Sequence, residues 1–306
     1  MSNKSSFVSD TISGMERGNS VLLTFGEPGR ALKHKIALTG FVSRFLLFLI
    51  FNPLFLLRAR FFPNIWRRRR ATAVRLVRFF LPFRAKGQVE ISPNGYIVVT
   101  NHPTLNDPIC AILYILTLLP DREIIIPINL PWFETVCRYR TKLLKIGANI
   151  VPILTPHTAK RLGENEAVGK VQSGFMANYV EEFAGTLSRG GLAVVAQQAT
   201  RRRHLFTGPA QAESGEGILS TVTLLLLGLR RAKLLDKTLI VPVGVVPHSV
   251  NAKPGLNVCR RYTLNVGEAI LAAELNTVKN AAKRPADLYM LLRLKELLPA
   301  EYHYEE

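Results

Sequence analysis

The chain has 306 residues, 48% of them hydrophobic, with 40 Lys or Arg against 22 Asp or Glu and a formal net charge of +18. That length suits one α/β domain with an appendage better than two equal domains. Cys110, Cys137 and Cys259 are far apart and form no CxxC pair, which argues against a disulfide framework and a cysteine zinc site, so no metal is expected.

Residues 1–35 are polar, contain Gly and Ser, and lack the charged-then-apolar order of an export signal. A reducing location on the cytoplasmic side is the default expectation. Residues 36–86 are both basic and apolar. Between Pro28 and Val89 there are fourteen Lys or Arg and no acidic residue, so this stretch seeks a polyanion. Its arginines are interleaved with long apolar runs, and no nucleic-acid motif accompanies them, so a membrane surface is favoured and nucleic acid is not expected. The uncharged run Phe45 to Leu57 has thirteen residues, whereas a bilayer core needs about twenty. A membrane-embedded helix broken at Asn52-Pro53 and returning to the same face is the expectation. From Trp66 to Phe83, Trp66, Val74, Val77, Phe80 and Leu81 recur at three- and four-residue steps, with Arg68, Arg75 and Arg78 tending to another side. That is the pattern of an interfacial helix, and Arg67 to Arg70 mark its cytoplasmic side.

From residue 87 the chain alternates short β-branched runs with helical stretches. Strands are predicted at 96–100, 123–128, 148–153, 192–196 and 239–246, with a late edge strand at 261–266. Helices are predicted at 107–119, 133–145, 166–187, 217–235 and 285–298. The alternation predicts an α/β domain over 87–270, with a largely parallel sheet covered by helices, and a helical C-terminal tail over 271–306.

Chemistry concentrates where the first of these strands breaks. Tyr96 to Thr100 is followed at once by Asn101, His102 and Pro103, then Asp107 and Pro108. Turns at the carboxyl edge of such a sheet are where α/β proteins place ligands. An Asp bound to one imidazole nitrogen fixes the tautomer and raises the basicity of the other, which makes a general base. The same residues also suit a helix N-terminus, with Asn106 or Asp107 as cap and His102 incidental. Spacing alone leaves both open.

Three stretches together resemble the lysophosphatidate acyltransferase-like superfamily of membrane glycerolipid acyltransferases. Asn101-His102-Pro103-Thr104-Leu105-Asn106-Asp107 matches the family's NHxxxxD block. Val194 to Arg201 lies where the family carries a strand ending in Pro-Glu-Gly-Thr-Arg. Ile240 to Gly244 matches a late Val-Pro-Val strand. The resemblance covers about residues 85–270. It implies transfer of a fatty acyl group from a thioester, on coenzyme A or acyl carrier protein, to a hydroxyl of a lysophospholipid or glycerolipid-type acceptor in the membrane. It implies His102 as base, Asp107 as its orienter, Asn101 with nearby backbone N–H groups as oxyanion support, and Gln198, Thr200 and Arg201 on the acceptor. The thioester is already activated, so no cofactor beyond this co-substrate is expected.

The departures concern the acceptor. Gln198-Ala199-Thr200-Arg201 replaces the family's Glu-Gly-Thr-Arg, losing a charge and a glycine. Ile153 falls where the family carries a phosphate-contacting Arg. Arg202, Arg203, His157, Lys160 and Arg161 are neighbouring cations that could substitute, or simply solvated loop residues. The alternative is a family member without catalysis, acting as a lipid-binding or membrane-scaffolding protein. His248 is read as a strand-end loop residue ahead of a second catalytic His, and Cys110 as helix packing ahead of a Cys–His hydrolase. The Leu224–Leu227 run is read as core helix or acyl-chain wall.

Overall fold

The computed structural model describes residues 74, 78, 82–89, 94–102, 107–119, 122–131, 133, 137, 140–144, 147–163, 166–197, 204–248, 261–278 and 285–305. The proposed bilayer segment around 45–57 lies outside them. Among the described residues no helix is long and apolar enough to cross a membrane.

The chain folds as a mixed α/β domain on one eight-stranded sheet. The strands are β1 (Phe83–Lys86), β2 (Gly95–Thr100), β3 (Ile124–Asn129), β4 (Ala148–Ile153), β5 (Leu192–Ala196), β6 (Thr238–Pro247), β7 (Tyr262–Val266) and β8 (Ile270–Leu271). The order across the sheet is β1-β7-β6-β2-β5-β3-β4, with β8 antiparallel on the start of β6. β6, β2, β5, β3 and β4 run parallel; β7 runs antiparallel to β6, and β1 parallel to β7. Every residue of β2 is buried, as a strand covered on both faces requires.

Alternation along the strands feeds two cores. On one face, α1 (Asp107–Leu118) packs Cys110, Ala111 and Ile115 with Tyr96, Val98, Val194 and Val243. On the other, α4 (Glu166–Ser188), α6 (Thr221–Arg231) and α8 (Pro285–Leu297) bury Tyr179, Phe183, Leu225, Leu229, Leu291 and Leu294 against Ile97, Val99 and Val195. Shorter helices are α2 (Arg140–Leu144), α3 (Pro156–Arg161), α5 (Pro209–Ser214) and α7 (Ala272–Thr277). Gly228 lets α6 approach α4 closely, since a Cβ there would lie 2.6 Å from Val180 Cγ1.

Several elements differ from the sequence expectation. The 217–235 helix begins at Thr221, because Gly217 takes a left-handed φ of +73° and the helix N-terminus is fixed from elsewhere. Within 133–145, Phe133 and α2 are helical, and residues 134–136, 138, 139 and 145 lie outside the described residues. The 261–266 strand is no edge strand, because β1 pairs outside it. β1 itself falls in the stretch read as membrane anchor, and α8 is an integral wall of the core. Val74, placed by its periodicity on a membrane-facing stripe, is 6% exposed and packs in the α1-side core with Phe83. Arg78, one turn on, is exposed with its guanidinium 4.8 Å from the Phe83 ring centroid. At these two positions the apolar side faces the protein and the cation faces out.

Candidate active site

The carboxyl edge of the sheet owes its shape to the chain leaving β2 and β5 in opposite directions. After β2 it enters α1 on one face; after β5 it passes through α5 to α6 on the other. These two strands are adjacent and in register, Thr100 beside Ala196, and the Gln197 N–H donates to the Thr100 carbonyl at 3.0 Å. Adjacent parallel strands with diverging connections open a crevice between them.

His102 stands at this edge, two residues past the end of β2. It is half-buried, with Nδ1 sealed from solvent. Asp107 is the first residue of α1, five positions after His102. The Asp107 carboxylate and residues 103–106 lie outside what the structure describes.

Asn101 is 1% exposed and clamps the turn to β6. Its Nδ2 donates to the Val245 carbonyl at 3.0 Å, and its Oδ1 accepts from the Val245 N–H at 2.7 Å. An amide side chain satisfies one backbone donor and one backbone acceptor at once, as a β-bridge would. These two bonds tie the residue before His102 to β6.

Gln198, Thr200 and Arg201, with Arg202 and Arg203, lie outside the described residues; their loop departs from Gln197 beside Thr100. Lys160 and Arg161 are exposed in the last turn of α3. Ile153 is half-buried at the end of β4. Cys110 is fully buried in α1. His248 is exposed past β6, its Nε2 2.7 Å from Thr263 Oγ1. Glu213 and Glu216 are exposed.

Two polar networks behind the edge were missed by sequence reasoning. Asp287, fully buried in the first turn of α8, accepts from Gln197 Nε2 at 2.8 Å, the Val222 N–H at 2.7 Å, the Thr223 N–H at 3.1 Å and Thr223 Oγ1. Thr221 Oγ1 donates to the Gln197 carbonyl at 3.2 Å. Asp287 thus caps α6 and braces the last residue before the Gln198 loop. An acidic residue in a first turn ordinarily reads as serving its own helix, so nothing in the sequence pointed across to α6. The second network ties β3 to α3. Asn129 Nδ2 donates to Thr158 Oγ1 at 2.8 Å, and Thr155 caps α3 beneath Pro156.

A groove of about 750 Å³ runs between α4 and α6. Gln172, Met176 and Leu224 line its end toward the carboxyl edge, and Ala184 and Arg231 its far end. Leu225 and Leu226 point into the core, while Leu224 and Leu227 are exposed on the groove. The Leu224–Leu227 run therefore serves both sides of its helix.

No protein-family model matches the chain, and no curated protein aligns with it significantly.

Proposed function

We propose that the protein is a membrane-associated O-acyltransferase of the HxxxxD type, similar to the lysophosphatidate acyltransferase-like superfamily. One observation carries the reading. The three stretches that resemble family blocks are far apart in sequence, yet their strands β6, β2 and β5 are consecutive neighbours in the sheet. They run parallel, with Thr100 level with both Ala196 and Val243, so the blocks converge on one edge. Convergence of that kind is what a shared reaction centre requires, and three unrelated loops would have no reason for it.

The chemistry follows from the residue types. His102 takes the proton from the acceptor hydroxyl as its oxygen attacks the thioester carbonyl. The tetrahedral intermediate collapses, the C–S bond breaks, and the imidazolium returns the proton to the departing thiolate. Asp107, opening α1, orients His102 and stabilises its cation, the division of labour of His and Asp in hydrolytic triads without an enzyme nucleophile. Backbone N–H groups of the turn are the oxyanion donors, and Asn101 holds that turn against β6. The donor is acyl coenzyme A or acyl carrier protein, and the acceptor a hydroxyl of a lysophospholipid or glycerolipid. The basic segment 36–86 keeps the domain at the cytoplasmic face of an anionic membrane. Gln198, Thr200 and Arg201 are proposed to contact the acceptor.

The test is transfer by purified protein from acyl coenzyme A or acyl carrier protein to a panel of lysolipids and hydroxylated lipids. His102→Ala is expected to lower the rate by about 10²–10⁴-fold. Undiminished transfer by that variant would sink the mechanism. The replacement of the family's Glu-Gly by Gln198-Ala199 favours a second reading, a lipid-binding scaffold. Lipid binding without thiol release across the panel would select it.

A further inference from the structure

Beyond the ends of β2 and β5 the sheet continues on one side only. β6 runs four residues past Val243, its partner level with Thr100, and carries β7 and β1 with it. The three strands make a wall rising about 13 Å above the crevice edge. Register sets one row of side chains across this wall. Arg84 of β1 pairs with Thr263 of β7, which pairs with Val246 of β6. His248, two residues after Val246, brings Nε2 to 2.7 Å from Thr263 Oγ1. Arg261 accepts the His248 N–H on its carbonyl at 3.0 Å, and alternation from Thr263 puts its side chain on the same face. Arg84, His248 and Arg261 are exposed, and Thr263 is half-buried between them.

The charged residues of β1, β7 and the residue before β7 are Arg84, Lys86 and Arg261, all cationic. Pro28 to Val89 contains no acid, and neither does Lys237 to Gly267, which holds Lys253, Arg260 and Arg261. The β1–β7 pairing sets Arg84 beside Thr263 and Lys86 beside Asn265, where these two sequence stretches meet. Two guanidiniums, an imidazole and a hydroxyl along about 10 Å of strand spacing offer the donors that phosphate oxygens take.

We propose that Arg84, Thr263, His248 and Arg261 form a phosphate-binding row on the β1–β7–β6 wall, for the phosphate of a lipid headgroup or of a soluble phosphate ester. Used as an anchor for the acceptor's phosphate, the row would stand on the α8-side face of the wall, where Val246 packs with that core, three residues along β6 beyond Val243. This use rests on the acyltransferase reading, whereas the binding itself does not.

The binding is measured on full-length His102→Ala protein in a phosphate-free neutral detergent, through the His248 imidazole resonances. The probes are dihexanoyl phosphatidate, dihexanoylglycerol and inorganic phosphate. A saturable shift with dihexanoyl phosphatidate and none with dihexanoylglycerol is expected. Arg84→Gln and Arg261→Gln are each expected to weaken it about tenfold. Lipid binding about tenfold or more tighter than inorganic phosphate assigns the row to headgroups; equal affinity assigns it to soluble phosphate. No saturable shift, or one unchanged in the Arg84→Gln/Arg261→Gln double variant, overturns the proposal. An active wild-type enzyme without this binding would overturn it alone; intact binding in an inactive wild-type protein would overturn the acyltransferase reading alone.

Discussion

Asn101 and Val245 exchange two hydrogen bonds, side-chain amide to backbone, at 2.7 and 3.0 Å. They fasten the His102 turn to β6 at the point where β6 leaves the common sheet edge and starts up the wall. Asn101→Ala leaves a buried N–H and a buried carbonyl without partners, at a cost of about 3 kcal/mol. Asn101→Asp is nearly isosteric, yet it sets a carboxylate oxygen against the Val245 carbonyl and is expected to destabilise as well. Denaturant midpoints for the two variants check this; an Asp variant as stable as the parent would refute the clamp.

Asp107→Asn keeps the shape of the α1 N-terminus and removes the charge proposed to stabilise the His102 cation. The expected outcome is a fall in kcat of about 10²-fold or more with little change in binding of the acyl thioester. Pre-steady-state thiol release, alongside thioester affinity, separates the two quantities. A rise in thioester Kd with kcat unchanged would assign Asp107 to binding.

Asp287→Ala strips the cap from α6 and orphans the Gln197 amide, the two N–H groups and the Thr223 hydroxyl together. A loss of about 3 kcal/mol or more is expected. Asp287→Asn retains acceptors but presents an NH₂ group to donors, with an intermediate loss. Hydrogen exchange at Val222 and Thr223 should quicken in both variants, because their amide partners weaken. Unchanged protection there would show the cap to be dispensable.

Tyr179 sits in α4 at 4% exposure, its hydroxyl buried with no hydrogen-bond partner among the described residues. Burial pushes its phenol well above the ordinary value of about 10. Above that pH the unfolded chain releases the proton and the folded chain keeps it, so stability falls as pH rises. Tyr179→Phe removes both the orphaned hydroxyl and this alkaline sensitivity. A gain of about 1 kcal/mol near neutral pH is expected, with a flatter stability profile above about pH 10. Urea unfolding at a series of pH values measures both.

The central strands were legible because each is a short β-branched run buried on both faces, and Tyr96 to Thr100 announces itself by composition alone. The end of that strand and the start of α1 were equally legible, since Asn101, His102 and Asp107 interrupt an apolar pattern. β1 was not, because Phe83-Arg84-Ala85-Lys86 is an edge strand whose pairing with β7 is set across the sheet rather than by local pattern. Val74 was assigned to the wrong solvent for a related reason. Periodicity identifies an apolar stripe but not whether lipid or protein covers it. Asp287 and Gln197 show the same limit in polar residues, their link being made 90 positions apart.

The Asn101–Val245 bridge also spans 144 positions, and that separation governs how the protein folds. β2 stays without one of its two neighbours until β6 arrives, so the His102 turn gains its fastening only after a long-range closure. Local helices such as α4 and the β3–β4 pair need no such closure. During denaturation, competence at the edge should therefore vanish before helical signal does. A compact intermediate with most of its helices would still be chemically silent.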